Sequence, residues 1–410
     1  YIQLRLRTES MKRIITCSLI TISCISFSAA DWSQFRGPGG NPAAADADIP
    51  ATFGADENVE WIVPVAGRSA SSPIIVGEQL ILTSDDGAKQ DRLLLQSYST
   101  DSGDLLWTRN FWATGRPYTH PASSNAAPSP VSDGRFIVAF YSSNDLVCTD
   151  MDGNLQWFRG LGHDYPKTGN DIGMAASPII AGDVVIAQLE NQGDSYAVGV
   201  DIKTGEELWH VERDPRANWS SPVVRKRQDG KYTVILSSPG TGIRALDSTT
   251  GNELWSYKAN CGSNTSPLIV DDVLYISANG TTALQLNPAG TTPKVLWEAN
   301  RLGQNAASPV VHDDKIYVLS GPIIKCADAT NGDLLWQVRL NGRFWATPIL
   351  TKDRMFLINQ DGQVHVISLG DKGELAGDFS IDQVVMGTPA VSGDAMFIRT
   401  HGSLWKVTSK

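Results

Sequence analysis

From about residue 59 to the C-terminus, apolar residues fall in short runs separated by tight polar turns, as in "PIIVGEQLILT" (73–83), "PIIAGDVVIAQ" (178–188) and "PLIVDDVLYIS" (267–277). Each reads as strand, turn and strand, the signature of a hairpin. A Ser-Pro or Thr-Pro dipeptide opens every such unit, at prolines 73, 130, 178, 222, 267, 309, 348 and 389, spaced 39 to 57 residues apart. Seven of the eight reach a turn position four residues later (Gly77, Gly134, Gly182, Asp271, Asp313, Lys352, Gly393); after Pro222 the turn waits until Asp229-Gly230. A second pattern, Gly-x-x-x-Trp, follows within the unit: Gly103 and Trp107, Gly153 and Trp157, Gly205 and Trp209, Gly251 and Trp255, Gly332 and Trp336. In its fullest form, "ALDSTTGNELW" (245–255), Asp247 is placed to bond the turn backbone and Gly251 to take a positive φ. Leu254 and Trp255 then begin the next strand on opposite faces. Trp297 keeps the aromatic after a longer turn.

Two hairpins per unit and eight units predict an all-β, eight-bladed β-propeller of four-stranded antiparallel blades. No long 3.6-period segment supplies the helices a parallel α/β fold needs. The proline suits an innermost first strand, whose free edge faces the channel and needs no N–H at its first residue. The tryptophans suit docking between neighbouring sheets. The last unit has only three strands ("PAVSG", "AMFIRT", "SLWKV"), and its fourth is expected from the N-terminal "NVEWIVPVAG", with Trp61 in the docking position. Closing the ring this way removes an exposed edge. Trp405 belongs to a third strand, in the place His365 holds one unit earlier, and the seventh unit has Gly373 and Leu375 but no Trp, so its packing must differ.

Composition narrows the function classes. The 410 residues include 34 basic and 44 acidic side chains, a formal charge of −10, with no basic block for a nucleic-acid backbone. Nucleic acid is therefore not an expected partner. Met11-Lys12-Arg13, the apolar run 14–27 and Ser28-Ala29-Ala30 read as a signal peptide cleaved near Ala30, too short to span a bilayer. Lipoprotein processing at Cys24 is the rival, although Thr21-Ile22-Ser23 fits it poorly. The expected division is 1–30 signal peptide with upstream residues, 31–58 an N-terminal arm, and 59–410 a monomeric propeller, periplasmic or secreted. Past residue 30 remain Cys148, Cys261 and Cys326, which make no disulfide framework and no CxxC; Cys148 and Cys326 fall at equivalent strand positions as small buried hydrophobes.

Over residues 59–408 these elements resemble the pyrroloquinoline-quinone-like (PQQ) propeller repeat, and "DWSQFRGP" (31–38) resembles the N-terminal lead of secreted bacterial propellers of that family. The resemblance implies the fold. It leaves two functions open, because the repeat occurs in quinoprotein alcohol dehydrogenases and in non-catalytic propellers of the BamB type. The dehydrogenases typically carry a Cys-Cys pair, a calcium site and long insertions; this shorter chain has no Cys-Cys, and Glu190-Asn191 and Asn264, the nearest calcium-type oxygens, match no family ligand. GxSxG, HExxH and GxxxxGK[ST] are absent, the six histidines are dispersed, and the Asp85-Asp86 and Asp313-Asp314 pairs fall in turns.

What remains is the set of loops entering the innermost strands, which gather at one mouth of the channel and hold Arg68, Asn125, Asn218, Trp219, Asn264, Asn305, Arg343 and Trp345. Two are long, 110–127 and 160–175. Trp112, Trp219 and Trp345 are either gap fillers between blades or anchors for a ligand. The expectation is a non-catalytic scaffold binding an envelope protein or small ligand at this mouth, without catalytic residues, metal or cofactor. The alternative is an oxidoreductase holding PQQ with calcium, with a polysaccharide-binding or hydrolytic propeller behind it.

Overall fold

The computed structural model describes residues 32–168, 172–288 and 290–409. The signal peptide, its cleavage point at Ala30 and Cys24 lie outside them. Thirty-two strands form eight four-stranded antiparallel sheets. Blades 1 to 7 cover residues 74–112, 131–160, 179–213, 223–257, 268–299, 310–339 and 349–380, each running in chain order from the innermost strand outward. Blade 8 joins the chain's two ends. Strands Ala390–Ser392, Ala395–Arg399 and Ser403–Val407 are completed by Val59–Pro64, with Ile62 opposite Trp405 and Val63 opposite Leu404. The eight-bladed propeller closed by the N-terminal strand is therefore the observed fold.

Burial explains the sequence pattern strand by strand. Second and third strands, such as Val184–Leu189 and Ser195–Asp201, are covered on both faces by neighbouring blades and are buried almost throughout. Fourth strands such as Leu105–Trp112 alternate, because only one face meets a neighbour. Each tryptophan sits just after a register shift between third and fourth strands, opposite a small residue: Ser97 for Trp107, Cys148 for Trp157, Gly199 for Trp209, Ala245 for Trp255, Ala283 for Trp297 and Cys326 for Trp336. The bulge turns the ring toward the following blade. There it lies on the glycine of that blade's second hairpin. A Cβ on Gly103, Gly153, Gly205, Gly251, Gly332 or Gly373 would stand 2.4 to 2.9 Å from the ring of Trp61, Trp107, Trp157, Trp209, Trp297 or Trp336 respectively. The indole N–H of five of them also donates to a carbonyl of that turn: Trp61 to Asp101, Trp107 to Met151, Trp157 to Ile202, Trp209 to Ser248 and Trp297 to Ala329, at 2.7 to 3.0 Å.

Blade 7 shows how the missing Trp is replaced. Gly377 holds the register position of the docking residue, and Phe53 of the N-terminal arm fills the space, 4.9 Å edge-on to Phe379 and 6.4 Å from Phe356. That arm follows the far ends of the innermost strands. Trp32 bridges Ile75 of blade 1, Ser33 accepts from Ser132 of blade 2, and Arg36 reaches Pro267 before blade 5. Asn41 makes a two-way amide pair with Val311 of blade 6, Ala43 bridges Leu350 of blade 7, and the Asp48 N–H donates to Asp394 of blade 8. Cys148, Cys261 and Cys326 are buried free thiols, and burial pushes Cys148 up to about 12 and Cys326 to about 11.

Candidate functional site

The residue before each unit-opening proline builds the channel. Ser72, Ser129, Ser177, Ser221, Ser266, Ser308, Thr347 and Thr388 all face the same axial cavity. At seven junctions the backbone N–H of one donates to the hydroxyl oxygen of the next over 2.8 to 3.0 Å; the Thr388 N–H donates to Ser72 and so joins blade 8 to blade 1. Because proline removes the next donor, the hydroxyl and the N–H before it become the contact between blades. Accepting that N–H leaves each hydroxyl its own proton to donate.

Above this ring the cavity has a volume of about 350 Å³. Its walls are Trp219, Trp345, Met174, Met386, Ile172 and His120, and Phe35 of the arm borders its lower end. The two long loops supply His120 through Met174, as their length suggested. The Trp219 indole N–H donates to the Gly173 carbonyl at 2.8 Å and the Trp345 indole N–H to Gln360 Oε1 at 3.0 Å, so both lining rings are held by their edges. Trp345 is 44% exposed.

The eight loop residues singled out from the sequence divide. Trp219, Asn264 and Trp345 line the axial cavity; Asn264, Asn305, Arg343 and Trp345 line an adjoining groove of about 340 Å³. Arg343 is exposed and makes no side-chain hydrogen bond among the described residues. The other three hold loops. Arg68 donates to the Pro121 and Ser123 carbonyls. Asn125 is buried, its amide donating to the Gln90 carbonyl and accepting from the Ser143 N–H. Asn218 is buried between Glu190 and the Ser237 carbonyl. Trp112 is 67% exposed at the end of blade 1 and fills no gap between blades.

Electrostatics bear on the quinone and calcium alternative. Among the described residues no Asp or Glu lines the axial cavity, and no cluster of three His, Cys, Asp or Glu is poised for a metal. Glu190 is fully buried, but its oxygens accept from Arg213 at 2.6 Å, Asn218 at 3.0 Å, Ser238 at 2.5 Å and Gln188 at 2.9 Å. A guanidinium already balances that carboxylate, so it does not fit a calcium ligand. Asp85 is another buried acid near the mouth. Burial pushes it up to about 6, while N–H groups of the 113–127 loop, including Ala126 at 3.1 Å, pull the other way. Sequence reasoning missed the Ser/Thr ring, Phe35, Met174 and Met386; only the ring left a signal, a hydroxyl at every unit opening.

Known proteins agree with this geometry. The family described as outer membrane protein assembly factor BamB matches residues 50–193, 94–320 and 288–404. The BamB of Bordetella pertussis is 21% identical over 95% of both chains. Two further BamB relatives are matched over 62% of their own lengths. The crystal structure of Moraxella catarrhalis BamB superposes with a TM-score of 0.63 at 15% identity, covering 86% of this chain and 97% of that one. A quinohemoprotein alcohol dehydrogenase from Comamonas testosteroni gives 0.68 at 12% identity over 93% and 81%, a likeness of fold alone. On the family match along most of the propeller, this chain belongs to the family of the outer membrane protein assembly factor BamB.

Proposed function

We propose that the protein is a non-catalytic scaffold of the bacterial cell envelope, exported past residue 30, that takes part in outer-membrane protein assembly and receives a protein partner at the channel mouth. The observation that carries this reading is the cavity itself: tryptophan and methionine walls, a floor of hydroxyls and, among the described residues, no carboxylate. Such a lining suits an inserted apolar side chain with a polar tip. Beside it, exposed Arg343 and Trp345 form a rim suited to a carboxylate next to an aromatic or aliphatic group. Family membership supplies the cellular context, and the quinoprotein reading finds no acid among the described residues of the cavity.

The test compares wild type with an Arg343→Ala/Trp345→Ala variant. Envelope proteins cross-linked to the wild type are identified by mass spectrometry, and the affinity of the purified partner is then measured for both. Loss of both side chains should weaken binding by about 2 kcal/mol or more, roughly 30-fold, with unfolding temperature little changed. Equal affinity for the folded variant rules out this mouth. Removing the gene should lower the amount of folded β-barrel protein in the outer membrane, and unchanged levels would remove the assembly role.

A further inference from the structure

Beneath Phe35, at the end of the axis away from the mouth, a second cavity of about 160 Å³ lies between the arm and blades 3 and 4. Gln34, Arg36, Ser177 and Ser221 provide its polar side chains, among prolines, glycines and aliphatics. Arg36 is 1% exposed, among the largest fully buried side chains of the protein. Its Nη2 donates to the Pro267 carbonyl at 2.7 Å, while Nε and Nη1 have no acceptor. A guanidinium stays protonated in proteins, and a buried charge without a counter-charge is strongly disfavoured. Burial alone, with no carboxylate opposing it, pulls Arg36 down to about 9.

The surroundings are donors as well. Ser177 and Ser221 use their hydroxyl oxygens to accept the N–H groups of Ser129 and Ser177 at 3.0 and 2.9 Å, which leaves both hydroxyl protons to donate. The local chain is bent to deliver the guanidinium there. Arg36 itself, with a Cβ, sits at φ 65°, between turns in which Gly37, Gly39 and Gly40 are also left-handed, and a Cβ on Gly37 would strike the Trp32 ring at 2.6 Å. That conformation is disfavoured for a residue with a Cβ and is held only by its surroundings.

We propose that this lower chamber is a binding site for a small inorganic anion, held by Arg36 Nε and Nη1 with the hydroxyls of Ser177 and Ser221, which clamps the arm across blades 3 to 5. The anion supplies the charge that no side chain provides and closes the axis at the end opposite the mouth. It is independent of the partner-binding reading, since it concerns the arm and the far end of the channel.

The experiment follows thermal unfolding of wild type and Arg36→Met at constant ionic strength while sodium chloride or sodium sulfate replaces sodium gluconate, whose anion is too large for the chamber. Above saturation, wild type should gain about 1–3 °C for each tenfold rise in the binding anion, and Arg36→Met should not share that gain. A wild type indifferent to all three salts, or equal responses in the two proteins, overturns the proposal. Should Arg36→Met fail to fold, bromide-soaked wild-type crystals decide: an anomalous peak beside the Arg36 guanidinium supports the site, and none there overturns it.

Discussion

Replacing Gly251 with alanine separates two reasons for glycine in the second hairpin. Gly251 has φ +70°, and a Cβ there would lie 2.8 to 3.0 Å from atoms of Trp209, whose indole also donates to Ser248 in the same turn. The left-handed backbone costs an L-residue about 1–2 kcal/mol, and forcing a methyl into a packed contact adds about 1–3 kcal/mol, so Gly251→Ala should lose about 2–5 kcal/mol. Gly230 is the control, with φ +81° and no heavy atom within 4 Å of its Cβ position; Gly230→Ala should show only the backbone part, about 1–2 kcal/mol. Trp209→Ala alone should cost about 3–5 kcal/mol. In that background the ring is gone, so Gly251→Ala should fall back to the backbone cost and leave a coupling of about 1–3 kcal/mol. Urea unfolding by fluorescence and circular dichroism measures wild type and the four variants, with coincident transitions licensing the free energies. If Gly251→Ala costs no more than Gly230→Ala, or costs the same with and without Trp209, the docking account of the repeat is wrong.

Trp61→Ala should destabilise by about 3–5 kcal/mol, and deletion through residue 67 should expose the Ser403–Val407 edge and promote association, read by light scattering; an unaffected melting temperature refutes the ring closure. Asp85 is raised from 3.8 to about 6 in the fold, so the folded state binds the extra proton, and stability present below about pH 4 is lost as pH rises through about 6. The loss should approach about 3 kcal/mol in wild type and vanish in Asp85→Asn, whose amide oxygen can still accept the Ala126 N–H; identical pH profiles for the two would discard the buried carboxyl as its source. Incubation with PQQ and calcium should yield no dye-linked turnover of alcohols or aldoses, and measurable turnover would reopen the quinoprotein reading.

The fold was legible because repetition averages out local ambiguity: one hairpin of this kind is weak evidence, and eight in a row with a tryptophan spacing are not. Half of each local explanation was nevertheless missing. Gly251 does take the positive φ its turn suggested, but its lack of a Cβ also receives a ring from the preceding blade, a contact 42 residues upstream that no local pattern contains. Similarly, the prolines drew attention while the hydroxyls before them make the junctions between blades. The site was legible only by region. Asn125 and Asn264 look alike in the sequence, each a few residues before a Ser-Pro, yet one amide is enclosed by Gln90 and Ser143 and the other lines the cavity. The difference lies in which distant carbonyl comes within reach. The arm was least legible, since its residues gain their roles from contacts with six separate blades.

Those contacts change what the channel can do. A propeller axis open at both ends would let a small molecule pass, and a binding site there would compete with a path of exit. Here Phe35 borders both chambers, and the arm crosses the lower ends of the innermost strands from Trp32 to Asp48. The upper chamber thus has the arm at its lower end, and a partner's side chain entering from the mouth, as proposed above, would meet Phe35 there. The hydroxyl ring strengthens the point: its members are fixed by the same bonds that join the blades, so an inserted group meets a floor that cannot move without opening the junctions. Rigidity of that kind lowers the ordering cost of binding, and it ties recognition at the mouth to the closure of the whole ring.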